Sequence, residues 1–192
     1  MGRLIYSAIA SLDGYLDDPA GDSAWSAPDD EALAHITEGE RPLSTYLYGR
    51  RMYETMRIWQ TWPDEDTGSP LDLEWARMWR AAEKIVYSRT LTDATSPATR
   101  IEREFDPAVV RRLVEESPTD MSIGGAVLAG QALAAGIIDE LRWYSYPVAV
   151  GGGNPWLPRD VRLDLELIET RGFASGVVFS RYRVASTRNR RE

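Results

Sequence analysis

Cysteine is absent, and histidine and lysine occur once each. Without cysteine there are no disulfides, thiolate metal sites or thiol nucleophiles. A lone histidine, His35, leaves no multi-histidine zinc centre and argues against a Ser-His-Asp triad. Lys84 is the one lysine that could form a Schiff base or serve a phosphate loop. Long apolar runs are missing too. The opening MGRLIYSAIASLDG is interrupted at Asp13, too soon for a signal peptide or a membrane span. The expectation is a soluble, cytoplasmic protein with no metal.

What is present is ordinary globular material. The 192 residues are 43% hydrophobic and 27% charged, which suits one domain with a real core. Thirty acids against 22 bases give a net charge of −8, which opposes general binding to nucleic acid or an anionic membrane. All the bases but Lys84 are arginine, the better side chain for holding phosphate oxygens in a fork.

Periodicity predicts alternating strands and helices. Residues 3–10 read as a first strand stopped by Asp13-Gly14, and Pro28 marks a helix start with Asp29, Asp30 and Glu31 in its first turn. Strands are predicted at 45–48, 84–87 and 121–123, and helices at 50–56, 73–82, 107–116 and 127–135, with a polar loop at 59–70. A long strand is expected over 141–150. Residues 161–169 alternate, with Val161, Leu163, Leu165 and Leu167 expected inward, and 177–184 should return as the other arm of a hairpin. The fold class is α/β, a mostly parallel sheet flanked by helices and closed by an antiparallel C-terminal hairpin. Residues 1–185 form the domain, and 186–192 are read as a solvated basic tail.

Three strand ends carry groups suited to phosphate. Ser122-Ile123-Gly124-Gly125-Ala126-Val127-Leu128 is a strand feeding a glycine pair that opens a helix, where bare backbone and a helix N-terminus can meet an anion. The spacing fits neither the Walker loop nor the dinucleotide fingerprint, and a tight structural connection explains it equally. Gly49-Arg50-Arg51 is either an anion clamp or a pair of solvated arginines, and Ser88-Arg89-Thr90 is a third such turn. In α/β sheets ligands gather at the carboxyl ends of the strands.

These segments, with Ser11-Leu12-Asp13-Gly14-Tyr15, Gly49-Arg50-Arg51-Met52-Tyr53-Glu54, Ile138-Asp139-Glu140-Leu141 and the run from Pro147 through Gly153 to Pro158, cover nearly the whole chain. In order and spacing the chain resembles the dihydrofolate reductase superfamily, in the branch of the C-terminal reductase domain of the riboflavin-pathway enzyme RibD. The resemblance implies an NADPH-dependent reductase. It implies that Gly49, Arg50 and Arg51 hold the 2′-phosphate and pyrophosphate, that Ser88 and Arg89 flank the adenine ribose, and that Gly124 and Gly125, joined by a cis peptide, meet the pyrophosphate with Ala126, Val127 and Leu128. Met52 stands where a threonine is frequent, which removes one hydroxyl from the phosphate site.

Trp25-Ser26-Ala27-Pro28-Asp29-Asp30 resembles the segment carrying the active-site acid of dihydrofolate reductases, which makes Asp30 the first catalytic candidate. Asp13 is the second. Each is also explained locally, Asp30 by the helix dipole and Asp13 by an Asp-Gly turn. Trp25 and Tyr15 are the substrate-wall candidates. Tyr15 occupies a place where pathway reductases carry a basic residue. The substrate implied is a small heterocycle or carbonyl, of which 5-amino-6-(5-phosphoribosylamino)uracil is one form and a pteridine or dihydrofolate another. The alternatives are an NADPH-binding protein without turnover and an interaction module with structural glycine turns. Trp143, Tyr144 and Tyr146, expected on both faces of one strand, suggest a homodimer through that sheet.

Overall fold

A computed structural model describes residues 2–63 and 67–189. Its eight strands are β1 (Leu4–Ser11), β2 (Thr45–Gly49), β3 (Glu83–Tyr87), β4 (Thr99–Glu102), β5 (Met121–Gly124), β6 (Glu140–Tyr146), β7 (Val161–Gly172) and β8 (Val178–Asn189). They form one sheet in the order β4-β3-β2-β5-β1-β6-β8-β7. The first six in sequence run parallel, and β8 and β7 run antiparallel beside β6. This is the predicted α/β architecture with its antiparallel finish.

The helices are α1 (Asp30–Glu40), α2 (Arg50–Met56), α3 (Pro70–Ala81), α4 (Pro107–Glu116) and α5 (Ala126–Ala134). Their starts are encoded locally. Asp29 caps α1 by accepting the Ala32 N–H, Ser69 and Asp72 form a reciprocal capping box on α3, and Asp106 accepts the Ala108 N–H of α4. Pro70 and Pro107 sit in first turns, where a missing N–H costs nothing.

The main core joins Leu4, Tyr6 and Ala10 of β1, Leu47, Ile123 and Leu141 of the neighbouring strands, Val110 and Val114 of α4, and Leu128, Ala132 and Leu133 of α5. Central parallel strands are covered on both faces, and the burial of β1 and β2 is nearly continuous. His35 packs against Phe179 at 4.5 Å between centroids, with its Nδ1 2.9 Å from the Tyr144 hydroxyl.

Several expectations are corrected. The four-residue edge strand β4 gives no readable alternation and was not predicted. The long strand expected over 141–150 ends at Tyr146, before Pro147. Within β7, Val161 and Leu163 are partly covered, but Leu165 and Leu167 are exposed. Register shifts between Asp164 and Leu165 and between Leu167 and Glu169 break the alternation, and β7 is an edge strand. The expected tail begins inside β8, whose residues 186–189 pair with β7, while 190–192 lie outside the described residues.

The Gly124–Gly125 peptide is trans: the one cis bond among the described residues is Trp62–Pro63, and the tight turn is made by Gly125 at φ 96°. Trp143, Tyr144 and Tyr146 are interior groups of this chain. Strand β6 is paired on both edges, Trp143 stacks on Trp156 at 5.3 Å, and Tyr144 and Tyr146 pack with Phe173, Val177 and Phe179.

A chain of charge, exposed at Arg3 and buried at Glu140, Arg142 and Glu40, fastens the start of β1, β6 and α1. Arg3 Nη1 donates to Glu140 Oε2 at 2.8 Å, Arg142 Nε donates to Glu140 Oε1 at 2.8 Å, and Arg142 Nη1 donates to the Gly39 carbonyl at 2.7 Å, 3.7 Å from Glu40. Burial pushes the Glu40 carboxyl up to about 7, against the pull of Arg142. The folded state therefore binds a proton that the unfolded state has released, and this group's contribution falls as pH rises from about 4.5 through about 7. Glu40→Gln should accordingly be more stable than the parent at pH 8, by on the order of 2–3 kcal/mol, and about equal to it at pH 5. Urea unfolding at both pH values checks this, and parallel curves for the two proteins across the range would refute it.

Candidate functional site

Six parallel strands deliver their carboxyl ends to one edge of the sheet. Because β5 lies between β2 and β1, the turns into α2 and α5 leave side by side. Gly124 pairs with Tyr48, and a Cβ on Gly124 would lie 3.0 Å from the Tyr48 ring and 3.1 Å from Met52. Met52 thus fills the space against the glycine pair that the sequence left open. A Cβ on Gly125 would come within 3.4 Å of Met52.

Neither α2 nor α5 has a side-chain cap, so their first-turn N–H groups are donors without an internal side-chain acceptor. Ala126 is half-buried and Val127 is 80% exposed at the start of α5. Leu128 is buried in the main core, so only its backbone is available to a ligand.

The three arginines divide. Arg50 donates Nε to Glu54 at 2.7 Å and Nη1 to the Thr90 hydroxyl at 2.8 Å, tying α2 to the turn after β3. Arg51 and Arg89 are exposed, and their guanidinium groups contact no described acid or acceptor. Ser88 is buried and shapes its own turn: its Oγ accepts the Thr90 and Leu91 N–H groups at 3.3 and 3.0 Å. Its carbonyl accepts Arg103 Nη1.

Asp13 is a clasp. It accepts the Ser11 hydroxyl at 2.6 Å and the Val150 and Gly151 N–H groups at 3.1 and 2.8 Å, binding the loop after β1 to the loop after β6. The Ser11 hydroxyl, followed by the two backbone donors, holds its carboxyl below the usual range. Asp17 repeats the device by accepting the Asn154 N–H at 2.6 Å, and Tyr15 bridges Pro155 through its backbone.

A cavity of about 300 Å³ opens at the end of β6, lined by Trp25, Ala27, Asp29, Tyr146, Pro147, Val148, Ser175 and Val177. Its place is two strands from β5, a lateral step of about 10 Å at the usual strand spacing. The structure brings Trp25 to this cavity and not Asp13, Tyr15 or Asp30. Asp30 is exposed on the first turn of α1, and the acid on the cavity wall is Asp29. The Ser175 hydroxyl, then the Ala32 N–H, hold Asp29 below the usual carboxylate range.

Trp25 and Tyr146 meet edge to face at 6.1 Å, and Trp25 Nε1 and the Tyr146 hydroxyl are buried with no hydrogen-bond partner among the described residues. Burial first, then the charge of Asp29, pushes the Tyr146 hydroxyl up to about 12. Sequence reasoning missed Asp29, Tyr146 and Ser175. Asp29 had a faint signal, since aspartate is a preferred cap residue, but Asp30 beside it qualifies equally. Among the described residues, no helix is long and apolar enough to cross a membrane.

A family model of the RibD C-terminal domain matches residues 3–179. The uncharacterized protein YyaP of Bacillus subtilis (strain 168) is 27% identical over 178 residues, 92% of each chain. The crystal structure of a putative riboflavin biosynthesis protein from Shewanella sp. PV-4 superposes with a TM-score of 0.72 at 19% identity, covering 96% of this chain and 99% of that one. Dihydrofolate reductase from Enterococcus faecalis, solved with NADP(H) and RAB-propyl, gives 0.62 at 14% identity, covering 96% and 98%. The fold of the sheet is shared with both.

If Asp13 is a clasp, Asp13→Ala should speed hydrogen exchange of the Val150 and Gly151 amides by about tenfold or more, with amides of β1 and β5 unchanged. Unaltered exchange at 150 and 151 would contradict it.

Proposed function

The chain belongs to the RibD C-terminal domain family, and from that premise we propose that it is an NADPH-dependent reductase acting on a small heterocyclic or carbonyl-type substrate. The observation that carries this reading is the pair of helix N-termini without side-chain caps, α2 and α5, on adjacent strands, with Arg51 and Arg89 exposed and paired with no acid among the described residues. Backbone donors, dipole ends and free guanidinium groups are the donor set that a dinucleotide's phosphates require. The shared fold of a dihydrofolate reductase solved with NADP(H) supports the same cofactor.

When bound, the nicotinamide would supply the hydride. The chain's own residues do the rest. Arg51 and Arg89 hold phosphate oxygens, and Arg50 positions the turn after β3. Trp25, Ala27, Val148 and Val177 form an apolar wall that excludes water and sandwiches a flat ring. Asp29, ionised, accepts from a ring N–H, while Tyr146, kept protonated, has a hydroxyl to donate. A small ring carrying a donor beside an acceptor, of the aminopyrimidine or pteridine type, meets those demands. A cytoplasmic setting fits this chemistry. The net charge of −8 offers nothing to nucleic acid.

A homodimer is proposed through the outer strands of the sheet. Leu165, Leu167 and Ile168 of β7 and Val178 of β8 are exposed on the outer strands, where a second copy would cover them. Light scattering at micromolar concentration should give twice the chain mass, and a monomeric mass would remove the dimer.

Calorimetric titration with NADPH and NADH tests the cofactor. NADPH should bind more tightly, and replacing both Arg51 and Arg89 with alanine should weaken NADPH about tenfold or more while changing NADH far less. Equal losses would contradict a role at the 2′-phosphate, since both cofactors carry the pyrophosphate. For the substrate side, Asp29→Asn keeps the helix cap and should slow turnover about a hundredfold, whereas Asp30→Asn should not. Tight NADPH binding with no oxidation across a panel of reducible heterocycles would favour binding without turnover.

A further inference from the structure

We propose that Ser175 is a positioning residue: carried by the turn between β7 and β8, it aims the Asp29 carboxylate into the cavity at the end of β6. The proposal rests on the reductase reading above, in which Asp29 accepts from a ring N–H, and goes beyond it by naming what holds that acceptor in place.

Asp29 caps α1, and its Oδ1 accepts the Ala32 N–H at 2.8 Å. One such bond leaves a carboxylate able to turn about Cβ–Cγ, a torsion with broad wells. The Ser175 hydroxyl supplies a second bond, from the other end of the chain, and both residues line the cavity. Two donors from different elements restrict the turn, and each favours the charged form of the acid. A carboxylate offers about four acceptor positions, so a ligand still finds free lone pairs.

The turn that carries Ser175 is seated on the first turn of α1. Phe173 and Val177 are its buried feet, joined by the Phe173 N–H to the Val177 carbonyl at 2.9 Å, with the Gly176 N–H on the Phe173 carbonyl at 3.0 Å. Phe173 packs edge to face against His35 of α1 at 5.4 Å. Glu31 accepts the Ala174 N–H at 3.1 Å and Arg171 Nη2 at 3.3 Å. Asp29 and Glu31 thus both bond to this turn, while Asp30 between them makes no such bond among the described residues. The Glu31–Arg171 pair is about half exposed and contributes little alone, so the buried feet and the Ala174 bond fix the seat. Ser175 itself is exposed and fills no core space. Removing its hydroxyl therefore costs the fold little, and the effect is read at Asp29.

The test is an NMR titration of the Asp29 carboxyl carbon in the full chain, in Ser175→Ala and in Ser175→Thr. The midpoint should rise by about half a pH unit or more in Ser175→Ala and return to the parent value in Ser175→Thr, which restores the hydroxyl. Hydrogen exchange of the Ala174 amide should be the same in all three, because the seat of the turn is untouched. Isocytosine, a small ring with a donor beside an acceptor, is the probe of the cavity. It should shift the Val148 and Val177 amides at pH 7 and bind Ser175→Ala about threefold or more weakly than the other two. A midpoint that does not move in Ser175→Ala would overturn the positioning role. So would one that moves together with faster exchange at Ala174, or equal isocytosine affinity in all three proteins. Isocytosine that shifts neither amide in any of them, while NADPH still binds, would overturn the positioning role and leave the cofactor half of the reductase reading standing. Binding of neither would overturn both.

Discussion

The contact between Tyr48 and Gly124 is the constraint on which the site depends. Strand β5 lies between β2 and β1, and its last residue faces the Tyr48 ring so closely that a Cβ there would lie 3.0 Å from it. That closeness lets the turn into α5 lie flush against the turn into α2, with Met52 closing the gap. Two helix N-termini then open on one crevice. A side chain at position 124 would require the Tyr48 ring and Met52 to give way where the two turns meet. The glycine pair thus serves the ligand indirectly, by what it permits between strands.

The other half of the sheet depends on charge. Arg3, Glu140, Arg142 and Glu40 alternate in sign from β1 through β6 to the end of α1, and the inner members are almost fully buried. Removing Glu140 or Arg142 from the middle of the chain strands a buried neighbour, so its value lies in fixing the pairing of β1 with β6 and the seat of α1. Since Asp29 at the start of α1 faces the cavity, the position of that helix is also the position of the candidate acid. The clasps made by Asp13 and Asp17 hold the two loops beside it.

Much of this architecture was legible in the sequence because its causes are local. The start of α4 at Asp106 and Pro107 and the apolar runs in β1 and β2 report their own conformations, whereas Ser69 and Pro70, which open α3, lie in a stretch that reads as loop. The glycine turns and the arginine-rich strand end were readable for the same reason. What was not legible depends on distant partners. Leu165 and Leu167 alternate as a half-buried strand should, yet β7 is an edge interrupted by register shifts. Trp143 and Tyr144 looked like surface aromatics until Trp156, Phe173 and Phe179 arrived to cover them. Asp29 and Asp30 are indistinguishable as letters, and only the packing of α1 against Tyr146 and Ser175 shows which one meets the cavity. The engagement of Arg50 required Thr90, forty residues away.

The order of the strands has a consequence for biosynthesis. Strand β1 is made first, yet its neighbours on either side are β5 and β6, which begin at Met121 and Glu140. Until residue 146 has left the ribosome, the segment Leu4–Ser11 has no complete lodging in the sheet. It is a short, uncharged, β-prone run of the kind that pairs with other chains when left exposed. The nascent chain therefore spends most of its synthesis with its central strand unsheltered, and Arg3 and Asp13, charges on either flank, are placed where gatekeepers against premature association belong.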